Sequence, residues 1–501
     1  MNGDDYSTFS EEGNAKKRYT IVTPCTVLPC YNETRQRKPR GEGLGFRLRR
    51  GENIMKKLLV FVLAIMLVCG GMISASQASS QGFYEYRLLA DGTVEITRVS
   101  DECADKMIPA ELDGKTVSSI AENAFMGCLK LKDVVIPEGV TSVGNYAFAW
   151  CYNLTSVTIP DSVTFFGEGV FESCMKMKSI SISREHPALA MSNGALIRKE
   201  DKTLLYITGI KGNDYEIPWG ITKIGTGAFS ESKLKSIVIP DSVTSIGANA
   251  FGNCSNLTDI YIPNSVKEFS IQAFRGCRKL KAIRIPNSVT NISEGTFDGC
   301  TSLTSIEIDP DHPVYEVTDG ALIRKKNREL IYYAGVTKGT FEIPDGIRAL
   351  GYFSFHSNTS LKEVIIPFSV KEIGGMAFCD CKNLTKATLS AGIKTISYGA
   401  FQYCGKLKEV VIPVGVEEIE RSAFGQCKSL VEVTLPIGLR TIQSRAFEKC
   451  TNLTKVVIPT TVKSIEADTF DGCTKLVCTV SEGSYAKKFC EENNISFVLA
   501  E

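Results

Sequence analysis

Residues 124–160 read AFMGCLKLKDVVIPEGVTSVGNYAFAWCYNLTSVTIP, and the phrase that opens this stretch starts again before the stretch ends. It can be written A-F-x-x-C-x-x-L-x-x-V-x-I-P-x-x-V-x-x-I/V. Its anchor phenylalanine recurs at 125, 148, 171, 229, 251, 274, 297, 355, 378, 401, 424, 447 and 470. Most steps are 23 residues, one is 22, and two are 58, which is one repeat plus 35 inserted residues.

One repeat shows why the chain needs its neighbours. Val134 and Ile136 alternate with Asp133 and Val135, the period of a half-buried strand. Pro137, with no N–H to give a ladder, closes that strand, and proline recurs at the same place in most repeats. Val140 and Val143 turn the chain, and Ala147-Phe148 is expected to begin a short helical or 3₁₀ return. One such unit cannot bury its own apolar edge, so units must stack and share a core. A fixed period in the twenties around L-x-x-V-x-I therefore predicts a leucine-rich repeat solenoid. The expected form is a curved right-handed superhelix whose parallel β-sheet takes one short strand from each turn. Thirteen repeats occupy 121–475.

Outward from the repeats, Tyr84–Thr97 predicts two strands about Asp91-Gly92, a favoured hairpin turn, within an N-terminal β cap over 79–120. The insertions, near 183–218 and 309–344, are copies: Glu185–Lys199 matches Asp311–Lys325 at an offset of 126 residues. Each is expected to form an extra hairpin that projects from the solenoid or widens its sheet. A closing cap over 476–501 combines the strand Leu476–Val480, a helix capped by Ser484, and a last strand at Ile495–Val498.

Residues 1–54 share none of this periodicity and carry a basic run, Arg35–Arg40 and Arg47–Arg50. Met55-Lys-Lys, the apolar run Leu58–Val68 and the small-residue segment Ser74–Ala78 then follow in the order of a secretory signal peptide, 55–78. The run is too short for a good membrane span, so no transmembrane segment is expected in the mature chain. A leader so far from residue 1 is expected to mean that translation starts at Met55 and that 1–54 is non-native or disordered. An intact mass that includes 1–54 would refute this. Cys69 is a poor lipid-attachment site because Val68 precedes it where a small residue belongs.

The repeat wording, the D-G-A-L-I insertions and the closing G-S-Y-A-K-K-F together resemble the BspA-like leucine-rich repeat family of bacterial surface proteins, over residues 84–498. The resemblance implies a secreted or cell-surface bacterial protein that binds host matrix or serum proteins or other bacteria. It names no ligand, because the motif residues are the core.

Nothing in the sequence assembles a catalytic or metal centre, and no cofactor is expected. Eleven of the 18 cysteines stand three residues after an anchor phenylalanine, which predicts small buried side chains. Zinc sites want paired C-x₂-C spacings, and Cys379-x-Cys381 is too short. Identical positions on stacked turns point in parallel, which suits disulfides poorly; Cys478 with Cys490 is the expected bridge. His186 and His312 occupy the same place in the two insertions, each before proline, as turn residues. His356 stands beside its anchor Phe355. A net charge of +1 offers no field for nucleic acid.

Binding is expected on the outward strand position between the two buried strand residues. Most repeats place a small or β-branched residue there, but Tyr261, Arg284 and Glu307 stand consecutively, and Tyr and Arg favour interface hot spots. The expected function is adhesion to an extracellular protein or other cell-surface macromolecule, without catalysis. The alternative is a glycan- or envelope-binding structural protein that makes contact through its insertions.

Overall fold

The computed structural model describes residues 79–104, 106–210, 212–335 and 339–500. The expected leader and the extension before it lie outside them. Each turn carries two strands where one was expected. Asp133–Val135 pairs in parallel with Ser156–Thr158, and Ser142–Val143 with Phe165–Phe166. Val134 and Ile136 are buried, as their alternation predicts, and Val140 and Val143 are wholly so. The second strand escaped prediction because two residues are too few to show a period.

The third side of each turn is not helical. Its donors alternate: Phe148 and Trp150 donate to Val170 and Glu172 of the next turn at 3.0 and 2.8 Å, while Ala149 and Cys151 bond back to Tyr146 and Phe148 at 3.0 and 3.4 Å. A helix would use every such donor within its own chain segment. Here half of them lock one turn to the next, and Tyr146 and Trp150 adopt left-handed φ of 54° and 61° to permit it. Among the described residues the helix is Tyr485–Glu492, whose first turn is capped by Ser484 accepting from the Lys487 N–H at 3.1 Å.

Inside the turns the anchor phenylalanines form a column of stacked rings, for example Phe125 on Phe148 at 4.7 Å and Phe378 on Phe401 at 5.1 Å between centroids. Each such pair adds about 0.5–1.5 kcal/mol beyond its burial. The column is cut twice. Phe171 ends against Tyr206 and Phe297 against Tyr332; Tyr215 and Tyr333 begin the next segments against Phe229 and Phe355. The cuts are the insertions, and they divide the core into three clusters.

Neither insertion projects. Leu189–Ser192, Ala195–Arg198 and Thr203–Ile207 form an antiparallel meander, and its last strand joins Lys223–Ile224 in parallel. Tyr315–Thr318, Ala321–Arg324 and Glu329–Tyr333 repeat this and join Ala349–Leu350. Leu196 packs into the core before the meander, and Ala195 and Ile197 into the core after it; Leu322 divides from Ala321 and Ile323 in the same way. Burial on both faces is what the unbroken apolar runs demand. Asn193-Gly194 and Asp319-Gly320 hold positive φ at both positions, 46° and 76° and then 50° and 80°, the signature of a type I′ turn.

At the N-terminal end Ser79–Gln81, Tyr84–Leu88 and Val94–Val99 make a similar meander, and Val94–Val99 continues in parallel with Lys115–Ile120. This one buries Tyr84, Tyr86, Val94 and Ile96 and turns the residues between them outward. At the other end Phe497–Leu499 extends the ladder beyond Val477–Val480, and Phe489 of the helix closes the ring column against Phe470 at 6.4 Å.

Candidate interaction surface

The repeat cysteines are structural donors. Each thiol from Cys151 onward reaches the anchor carbonyl one turn back: Cys151 Sγ to Phe125 O at 3.1 Å, Cys277 to Phe251 at 3.2 Å, Cys427 to Phe401 at 3.1 Å. Burial pushes the Cys151 thiol up to about 12, which keeps it protonated and able to donate. The two turns that follow insertions have no anchor phenylalanine directly before them, and they carry Ser232 and Asn358 instead of cysteine. Ser232 Oγ and Asn358 Oδ1 accept local N–H groups of Leu234 and Leu361, at 3.3 and 3.0 Å. That substitution pattern was visible in the sequence and went unread. The expected Cys478–Cys490 bridge is not formed in the structure. Both are free, buried thiols in contact, a hydrogen bond that raises the Cys478 thiol and lowers that of Cys490.

His186 is fully buried; its Nε2 faces Pro160 O at 3.0 Å and its Nδ1 accepts the N–H groups of Ala188 and Leu189 at 3.2 and 3.1 Å. Nδ1 therefore carries no proton and Nε2 does, and burial lowers the ring's pKa. His312 repeats the arrangement against Pro286, Val314 and Tyr315. These rings fasten the insertions to the preceding turn and have no free nitrogen for a metal.

His356 is different. It stands across the second insertion from Asp298, with Nδ1 against Asp298 Oδ1, while Arg275 Nε donates to Asp298 Oδ2 at 3.2 Å. Ser357 Oγ lies 3.2 Å from the same Nδ1. A hydrolytic relay needs the carboxylate on one ring nitrogen and the hydroxyl on the other. Here both crowd one nitrogen, so the trio is a half-buried seam that joins two blocks. Sequence reasoning missed it because its partners lie 58 residues apart across an insertion. The 126-residue offset also relates Asp298 to Glu172, which packs over Gly227 at the other seam. Among the described residues no group of three or more His, Cys, Asp or Glu is placed to hold a metal ion.

The predicted strand row is on the surface. Tyr261 is 58% exposed, and Arg284 and Glu307 also face solvent. Val238 is the register partner of Tyr261, and Arg284 that of Glu307. The ladder hydrogen bonds lapse between Asp259–Tyr261 and Ala282–Arg284, so the three residues occupy successive turns in two separate ladders. Arg284 is tied to Asp309 Oδ1 at 3.1 Å, not to Glu307. Among the described residues no helix is long and apolar enough to cross a membrane.

Comparison with known proteins agrees with this architecture. The chain is similar, at 20% identity and a TM-score of 0.50, to the pneumococcal vaccine antigen PcpA, over 85% of this chain and 99% of that one. A leucine-rich cell surface protein of Faecalibacterium prausnitzii is 26% identical over 85% of this chain and 99% of its own, with a TM-score of 0.46. A leucine-rich repeat protein of Bacteroides ovatus is 27% identical over 84% and 100%, with a TM-score of 0.41. No curated protein matches the sequence. The profile of the BspA type leucine rich repeat region matches residues 109–192, 222–338, 328–454 and 394–483. These matches span well over half of the residues, and the chain belongs to the BspA-type leucine-rich repeat family.

Proposed function

We propose that this protein is an exported scaffold that binds an extracellular protein or another cell-surface macromolecule through the outward face of its strands. The carrying observation is that each turn holds its buried strand residues in register and leaves the residue between them outside, as at Val238 and Tyr261. A rigid row of this kind can be varied residue by residue without touching the core. Tyr261 and Arg284 are the side chains best suited to anchor a partner. Export rests on the leader-like order of residues 55–78 and on the family resemblance.

Contact with glycan or envelope material through the insertions is the weaker reading, because the strands of both insertions are buried between cores. The test is binding of the purified full chain to immobilised matrix and serum proteins, glycans and whole bacteria, across a range of salt. Saturable binding to a protein, weakened by Tyr261→Ala/Arg284→Ala with the melting temperature unchanged, supports the proposal. Binding that only soluble polysaccharide competes away would replace it with the glycan reading.

A further inference from the structure

The residue directly after the strand-closing position, which is proline in all of the following turns but the one with Ser390, sits at a corner that is exposed in each of them except at Asn287, which is half-buried. In the earlier turns it is Glu138, Asp161, Asp241, Asn264, Asn287 or Asp345, with Trp219 the exception. In the last block it becomes Phe368, Ala391, Val414 and Ile437, ending at Thr460. Phe368 is 71% exposed, and Val414 and Ile437 are each 76% exposed. Ile365 and Val411, on the adjoining strands, widen the same apolar strip. Successive turns lie about 4.8 Å apart, so the ridge from Phe368 to Ile437 runs for about 14 Å.

Three residues further along each turn stand Arg348, Lys371, Lys394, Glu417, Arg440 and Lys463, all exposed. Lys394 is paired with Glu417 at 2.9 Å, which leaves the other bases to form the border. Lys371 touches the ridge itself: its Nζ lies 3.6 Å over the Phe368 ring and donates to Phe368 O at 2.8 Å. A large exposed apolar strip on a soluble fold marks a contact surface. Charge complementarity then specifies its occupant.

We infer that this ridge docks a protein segment that presents an apolar strip bordered by carboxylates. The inference rests on the scaffold reading above and gives it a second surface and a partner chemistry. An anionic membrane fits less well. Glu417 stands exposed among the flanking bases, and Glu409 and Glu432 stand exposed on the strands beside the ridge; a flat anionic sheet would meet them all at once, whereas a protein can set its carboxylates only opposite Lys371, Arg440 and Lys463. The ridge length matches a helix of about 10 residues at 1.5 Å each.

The test uses two labelled helical peptides of that length, one with a leucine stripe bordered by glutamates and its twin bordered by lysines, titrated by anisotropy against the full chain. The glutamate peptide should bind about tenfold more tightly than its twin, the scale of one to two kcal/mol in an anchored contact. Phe368→Ser/Val414→Ser/Ile437→Ser should abolish that binding with an unchanged circular dichroism melt, and Phe368→Leu should retain it. Lys371→Glu/Arg440→Glu should reverse the preference between peptides. Equal affinity for both peptides, absence of binding, indifference to the serine changes, or tighter binding to phosphatidylglycerol vesicles would overturn the inference. If the protein panel finds a partner that depends on Tyr261 and Arg284 but not on the ridge, the ridge fails and the scaffold reading stands.

Discussion

The N-terminal meander and the two internal meanders share one topology and differ in what they face. Both antiparallel units hand their last strand in parallel to a repeat turn. Both fix the preceding turn with an aspartate: Thr93 N–H donates to Asp91 at 3.0 Å and Thr203 N–H to Asp201 at 3.2 Å. By register with the strand that follows, in which Ile96 pairs with Ile120 and Leu204 with Ile224, Thr97 of the first corresponds to Leu205 of the second. Thr97 is half-buried on the outer face of the cap, whereas Leu205 is buried in the core behind it. One side chain thus separates a unit that ends a core from one that joins two. The solenoid grows in capped blocks, and a cap placed between blocks becomes a partition.

The largest effect that would break this comparison is Leu205→Glu. An unpaired carboxylate in a partition buried on both faces should cost about 3–5 kcal/mol in urea unfolding. Hydrogen exchange should rise in the turns on either side of Thr203–Ile207 and stay unchanged beyond residue 363, because a solenoid transmits stability mainly to its neighbours. The opposite change, Thr97→Leu, should shift stability by less than about 1 kcal/mol, since that position in the cap is only half-buried. Equal costs for the two would mean that the partition is no more buried than the cap.

The seam beside that partition supplies a pH dependence. Burial pushes the Glu172 carboxyl up to about 7, with Glu231 adding to the rise and Arg275 opposing it. Between the ordinary glutamate range and pH 7 the folded chain therefore holds a proton that the unfolded chain has lost. Stability must fall as pH rises through this window, by at most about 3 kcal/mol. Denaturant midpoints measured at pH 5 and pH 8 should show that slope, and Glu172→Gln should flatten it. At the other seam Asp298 has Arg275 and His356 as side-chain partners, so the two junctions solve the same burial differently.

How far the sequence revealed these features depends on whether a feature is periodic. The repeat, the inward strand residues and the internal duplication were legible because each recurs at a fixed offset. The two-residue second strand was not, nor was the turn ladder that replaces the expected helix, because its alternating donors are a property of the neighbouring turn. The insertions were recognised as copies, yet the lack of polar alternation in Ala195–Arg198 and Thr203–Ile207 already argued for burial on both faces and against projection. On the surface, Tyr261, Arg284 and Glu307 stood out as exceptions along one row. The apolar ridge escaped notice because it occupies a different row, where the pattern changes only in the last block.

The smallest test concerns the turn that the two kinds of meander share. The cap places Gly92 there at φ 84°, while the insertions place Lys202 and Arg328 at 55° and 54°. Glycine meets no Cβ penalty in this region, whereas other residues are strained by about 1 kcal/mol. Lys202→Gly should therefore raise unfolding stability by up to about 1 kcal/mol, less the extra freedom glycine gives the unfolded chain. Gly92→Lys should lower it by a similar amount. Thermal melts of both variants decide the point: a gain in the insertion with a loss in the cap shows one turn geometry used twice. If instead Lys202→Gly destabilises the chain, the left-handed lysine is held by the partition itself, and the two turns are alike in outline only.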